Sequence, residues 1–105
     1  MTDETNMLTD LREWFDDRRE KFADLGLQTT FAESPPDRAK RSASLMISSP
    51  FRVVQLVVWD TGEAELMLGD VGSGELLEEH REITSHLGLQ DATQTLLTWL
   101  EADSH

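Results

Sequence analysis

The chain has no cysteine in its 105 residues, which excludes disulfides, thiolate nucleophiles and a thiolate zinc site. It is also poor in bases: nine Lys plus Arg stand against 21 Asp plus Glu, for a formal net charge of −12. A surface of that sign repels phosphate backbones and anionic lipid, so neither nucleic acid nor a membrane is expected as a partner. No apolar run approaches the roughly 20 residues needed to span a bilayer. The start, Met1-Thr2-Asp3-Glu4-Thr5-Asn6, carries neither a basic stretch nor an apolar one and does not read as a signal peptide. A cytoplasmic location is the resulting expectation. The hydrophobic fraction of 38% is modest, but three Trp and four Phe add large buried areas per residue. This length suits one α+β domain over residues 1–105, with 1–5 and 103–105 frayed.

Leu8, Leu11, Phe15, Phe22 and Leu25 recur at helical spacing, with Arg18 in the gap and Trp14 widening the stripe. Asp10, Glu13, Asp17, Glu20 and Asp24 occupy the wet side. The spacing predicts a helix over about residues 6–25, capped by Thr5 or Asn6 and closed by Gly26 at the left-handed position. A first strand follows at 27–31. Glu33-Ser34-Pro35-Pro36-Asp37 then forms a loop, because two successive prolines forbid helix and remove two ladder donors. Ser42 to Ser48 reads as the second strand. The third, Phe51 to Trp59, is apolar on both faces apart from Gln55, which predicts a central position with both sides partly covered.

Asp60-Thr61-Gly62 is a short hairpin turn, and Ala64 to Leu68 alternates as a half-wet fourth strand. After the turn Val71-Gly72-Ser73-Gly74, residues 75–83 form a charged outer strand, suited to an edge because charge discourages edge-to-edge pairing. Gly88 is expected in a turn before a last helix at about 90–102, whose stripe is Leu89, Ala92, Leu96, Trp99 and Leu100. The fold expected is therefore α+β: N-terminal helix, antiparallel meander of four to five strands, C-terminal helix, with both helices on one face.

Catalytic chemistry is scarce. Glu78, His80 and Glu82 alternate onto one strand face, but a solvated charged edge explains them more simply than a metal site. The serines lack a nucleophile-elbow setting. Gly69-Asp70-Val71-Gly72-Ser73-Gly74 lacks the Lys-Ser/Thr ending of a phosphate loop and opens no helix, so it reads as a turn. Trp14 and Trp99 fall on helical stripes and read as core; Trp59, at a strand end, reads as an interface anchor or a core residue. No enzyme activity, metal or cofactor is expected.

Charge distribution carries the remaining signal. Between Asp60 and Glu82 the acids are Asp60, Glu63, Glu65, Asp70, Glu75, Glu78, Glu79 and Glu82, with Arg81 the only base. On adjacent strands some of them lie side by side, where like charges destabilise one another unless a cationic partner relieves them. The bland reading is an ordinary wet sheet face. The sharper one is a partner-binding surface made of Trp59, Asp60, Glu63, Glu65, Asp70, Glu75, Glu79 and Glu82.

The string Trp14-Phe15-x-x-Arg18-Arg19-x-x-Phe22, then Val58-Trp59-Asp60-x-Gly62-Glu63-Ala64-Glu65-Leu66, then Ser73-Gly74-Glu75 and Glu79-His80-x-Glu82-Ile83-Thr84, resembles the TriTu-type immunity proteins over nearly the whole chain. The resemblance implies an antidote of a bacterial ADP-ribosyltransferase toxin acting on elongation factor Tu, working by occlusion of the toxin's active cleft. It names no contact residues. The competing expectation, from a different class, is a small acidic secretion chaperone that binds an effector protein. That role needs an exposed apolar dimer face, whereas the apolar stripes here are used by one core, so a monomer before binding is expected.

Overall fold

The computed structural model describes residues 7–34, 41–83 and 85–101. The Pro35-Pro36-Asp37 segment, the expected cap residues Thr5 and Asn6, Thr84 and both expected frayed ends lie outside the described residues. Helix α1 spans Met7–Asp24, and strands β1 (Gln28–Glu33), β2 (Ser42–Ser48), β3 (Arg52–Trp59), β4 (Glu63–Asp70) and β5 (Leu76–Glu82) follow before helix α2 (His86–Glu101). The strands pair antiparallel in chain order β1-β2-β3-β4-β5, a plain meander, as short connections favour. The α+β architecture expected from the sequence is the one observed.

Helix α1 ends as its sequence requires. Gly26 takes φ 80°, a conformation costly for any residue with a Cβ. It lets Leu27 N–H reach Phe22 C=O and Gly26 N–H reach Ala23 C=O, both at 3.0 Å, which satisfies two carbonyls at the helix end. The chain then turns straight into β1, and Phe31 stacks on Phe15 with centroids 5.8 Å apart.

Period-two alternation decides which sheet face is covered. Ala43, Leu45 and Ile47 of β2, Val54, Leu56 and Val58 of β3, and Ala64, Leu66 and Leu68 of β4 are buried with Leu8, Leu11, Phe15 and Phe22 of α1 and Leu89, Ala92, Leu96 and Leu100 of α2. Helix α1 packs over β1, β2 and β3, α2 over β3 and β4, and the helices touch each other. Both therefore lie on one side. Trp14 and Trp99 pack at the margin of this core, half-buried.

The central position expected of β3 is observed, and so is partial cover on both of its faces. Its second apolar set is Val53, Val57 and Trp59. These residues are half-buried among side chains of the flanking strands, and both helices are already on the other side. Central position in the sheet, rather than a second layer, accounts for their partial burial.

Three boundaries differ from those expected. Strand β1 runs on to Glu33, where Ser34 N–H still bonds Ser42 C=O at 2.9 Å. Strand β4 extends to Asp70, because Gly69 and Asp70 pair with Val53 and Arg52. Helix α2 begins at His86, so Gly88 lies inside its first turn. The physical reason is Ser85, whose Oγ accepts from Gly88 N–H at 3.1 Å. A capped first turn tolerates glycine, since its N–H groups need no intrahelical partner. A Cβ on Gly88 would meet Ile83 Cγ2 and Ser85 Oγ at 3.6 Å, ordinary contact distances. Gly88→Ala is therefore expected to stabilise the fold by about 0.5–1 kcal/mol, read as a higher urea midpoint at unchanged m-value.

Candidate binding face

Register assigns every strand side chain to the helix side or to the open side. The hairpin that starts the assignment is set by Gly62 at φ 98°, with Gly62 N–H bonded to Trp59 C=O at 2.9 Å. From there, Val57 pairs with Glu65 and Gln55 with Met67, while Glu63 pairs with Glu82, Glu65 with His80 and Met67 with Glu78. These residues share the open side with Trp59.

The open side has two halves of different character. Over β1 and β2 it is uncharged: Gln28, Thr30 and Ala32 stand beside Ser48, Met46 and Ser44. Over β4 and β5 it is acidic, with Glu63, Glu65, Glu78 and Glu82 at successive outward positions and His80 among them. Glu63 and Glu82 are directly opposite one another, the arrangement in which like charges raise the folded state's energy. Over β3, β4 and β5 lies a shallow depression of about 260 Å³, bordered by Gln55, Val57, Glu65, Met67, Glu78 and His80. A niche of that size and polarity accepts one long side chain more readily than a cofactor, for which sites of roughly 300–1,000 Å³ are usual. Among the described residues no group of three His, Asp or Glu is arranged to hold a metal ion.

The structure distributes the expected site residues unevenly. Trp59, Glu63, Glu65 and Glu82 share the open face. Asp60 borders it at the hairpin, where its carboxylate accepts from Arg41 N–H at 3.2 Å, and Glu75 is exposed just before β5. Glu79 points the other way: Arg81 donates to it through Nε at 3.0 Å and reaches Asp91 at 3.2 Å and Thr95 at 3.2 Å. Arg81 thereby ties the edge strand to α2.

Asp70 has a structural task as well. Its carboxylate accepts from Gly72 and Ser73 N–H at 2.9 and 3.2 Å. It also lies 3.3 Å from Arg52 Nε, a charge contact without hydrogen-bond alignment. The Arg52 guanidinium stacks over Trp99 at 4.3 Å, and Trp99 Nε1–H donates to Gly69 C=O at 3.0 Å. This cluster fastens the last turn of α2 to β3 and β4, and Arg52 Nη1 donates to the backbone carbonyl of Trp99 at 3.4 Å.

The depression is also lined by Glu78, Val57 and Met67, which the sequence reading left out of its expected partner surface. Their signal was the double apolar face of β3 beside a chain with only two helices to cover it.

Two helices on one side of a five-stranded meander, with the other side open, shallow and acidic, define an α+β protein that presents a sheet face to solvent. Its family is that of the immunity protein TriTu, whose model matches residues 9–99, and the chain belongs to it. That membership gives it an immunity function. No curated protein matches the chain. No helix among the described residues is long and apolar enough to cross a membrane.

Proposed function

We propose that the chain neutralises a cognate bacterial toxin domain by binding it through the open sheet face and occluding its active site. The single observation carrying this reading is the depression between Val57, Met67, Glu65 and Glu78, set in a face that also bears Glu63 and Glu82. It offers an apolar floor and carboxylate walls to an arginine or lysine of the partner, the pairing that anchors many interfaces. Trp59, next to Glu63 across the hairpin, is the aromatic anchor. Asp60 and Glu75 add to the field at the borders, while Asp70 and Glu79 act through the turn and the helix tie.

The toxin class follows from family resemblance and charge together. An ADP-ribosyltransferase binds a dinucleotide diphosphate, so its cleft is basic. An acidic plug both fits that cleft and accelerates encounter with it. On this reading the immunity protein excludes NAD or the target protein, elongation factor Tu, and itself needs no cofactor or catalytic group. It acts in the cytoplasm, as a monomer until it meets the toxin.

The direct test is calorimetry with the toxin domain encoded beside the gene, coupled to an ADP-ribosylation assay. One-to-one binding that abolishes transfer is expected; binding without inhibition would refute occlusion. Glu82→Lys adds a separate check. It replaces a like-charge pair with an opposite-charge pair across β4 and β5, so it is expected to stabilise the free protein by roughly 0.2–1 kcal/mol. The same change is expected to slow association with the toxin, most visibly at low salt.

A further inference from the structure

The open face carries a second feature at the end opposite Glu63 and Glu82. Phe51, Val71 and Leu76 are 60%, 61% and 55% exposed, and register places them together. Leu76 pairs with Gly69, itself opposite Val53. One step further along the ladder, Val71 N–H donates to Phe51 C=O at 2.8 Å. Gly69 supplies the floor. A Cβ there would sit 2.9 Å from Val53 Cγ1 and 3.7 Å from Leu76 Cδ1, so both apolar side chains lean over the glycine and close the surface. The exposed Leu25 lies just past the end of α1, and Leu87 lies in the first turn of α2.

The tips of this patch are held rigidly. Ser49 Oγ accepts from Phe51 and Arg52 N–H at 3.3 and 3.0 Å, which fixes the β2–β3 turn that displays Phe51. Asp70 caps the β4–β5 turn that displays Val71, and Gly74 N–H closes it on Asp70 C=O at 2.8 Å. Large apolar side chains pinned on capped turns lose little conformational freedom when a partner covers them, which is what a preorganised interface requires.

We infer that Phe51, Val53, Val71 and Leu76 form the second half of the toxin interface and take an apolar knob of the same toxin domain whose cations meet Glu65 and Glu78. This rests on the open face being the toxin-binding face. Glu78 stands two residues from Leu76 along β5, and Glu65 is opposite His80, two residues further on, so the toxin's cationic and apolar contacts stand roughly 7–13 Å apart at the usual rise per strand residue. The two halves have different jobs. The acids set the speed and salt sensitivity of encounter, and the apolar end sets residence time.

The test is stopped-flow and dissociation kinetics with the toxin domain encoded beside the gene, using Phe51→Ser/Val71→Ser, Leu76→Ser and Glu65→Lys. The substituted apolar side chains lie outside the buried core, and circular dichroism checks that each variant folds. Both apolar variants are expected to raise the dissociation rate at least tenfold with association rate and salt slope unchanged; Glu65→Lys is expected to slow association. Normal dissociation from both apolar variants, with Glu65→Lys still slowing association, would overturn the inference and leave the binding face standing. Kinetics unchanged in all the variants would overturn both. A wild-type dimer in sedimentation that Phe51→Ser/Val71→Ser disperses would assign the patch to a second copy and overturn the inference as well.

Discussion

Leu56→Ala is expected to cost about 3–5 kcal/mol, among the largest losses from any single truncation in the chain. Leu56 is fully buried on the central strand, with Leu45 on one side and Leu66 on the other. It lies in the sheet layer that both helices cover. Neighbours fixed on three sides by ladder bonds and helix packing cannot collapse into the space, so the cavity term adds to the lost transfer energy. Domains of this size are stable by only about 5–15 kcal/mol in total, so the variant should have a sharply lowered urea midpoint. A cost below 1 kcal/mol would mean that the sheet side assigned to the helices is wrong. The contrast is Gln55, its neighbour on the open side, where Gln55→Ala should change stability little.

The largest functional effect is expected from reversing the acids that border the depression. Glu65→Lys/Glu78→Lys is expected to weaken toxin binding at least a hundredfold, because a cation entering the niche would meet cations there. Rim charges act mainly on association, so much of the loss should appear in the on-rate and diminish as salt rises. Folding should survive, since both residues are exposed and outward-pointing on adjacent strands. Binding by a folded double variant as tight as that of the wild type would remove the acidic face from the mechanism.

The fold was legible because its two periods are clean. Leu8, Leu11, Phe15 and Phe22 announce a helix, and Val54, Leu56 and Val58 a strand, without help from tertiary context. Turn chemistry did the rest: the glycines at 26 and 62 are where left-handed backbone is needed. The first turn of α2 was misread because Gly88 was judged by intrinsic propensity, while Ser85 supplies a cap that only the folded geometry reveals.

The acidity of the candidate face was legible in the sequence, but which acids share that face was not. Composition announced an acidic stretch from Asp60 to Glu82, yet the functions of those acids depend on strand parity. Glu78 and Glu79 are adjacent in sequence and lie on opposite faces. Which of them turns outward is fixed by the pairing of Met67 with Glu78 and Leu66 with Glu79, a relation between strands that a single strand's pattern does not encode when both its faces are wet. The apolar corner was harder still. Phe51, Val71 and Leu76 belong to different turns and strands, and only the ladder brings them together.

Because the strands alternate, the residues that hold the protein together and those proposed to meet its partner are interleaved one by one along the same backbone. Val54, Leu56 and Val58 belong to the first set and Val53, Val57 and Trp59 to the second. Point substitutions can therefore rewrite the outward alphabet of β3 and β4 while leaving the inward one untouched, and an antidote can follow a drifting toxin without renegotiating its own stability. The same arrangement makes length sacrosanct. One residue inserted in the middle of β4 would exchange the two alphabets beyond that point, burying glutamates and exposing leucines, so lineages of this protein should diverge by replacement within the strands and change length only at the turns.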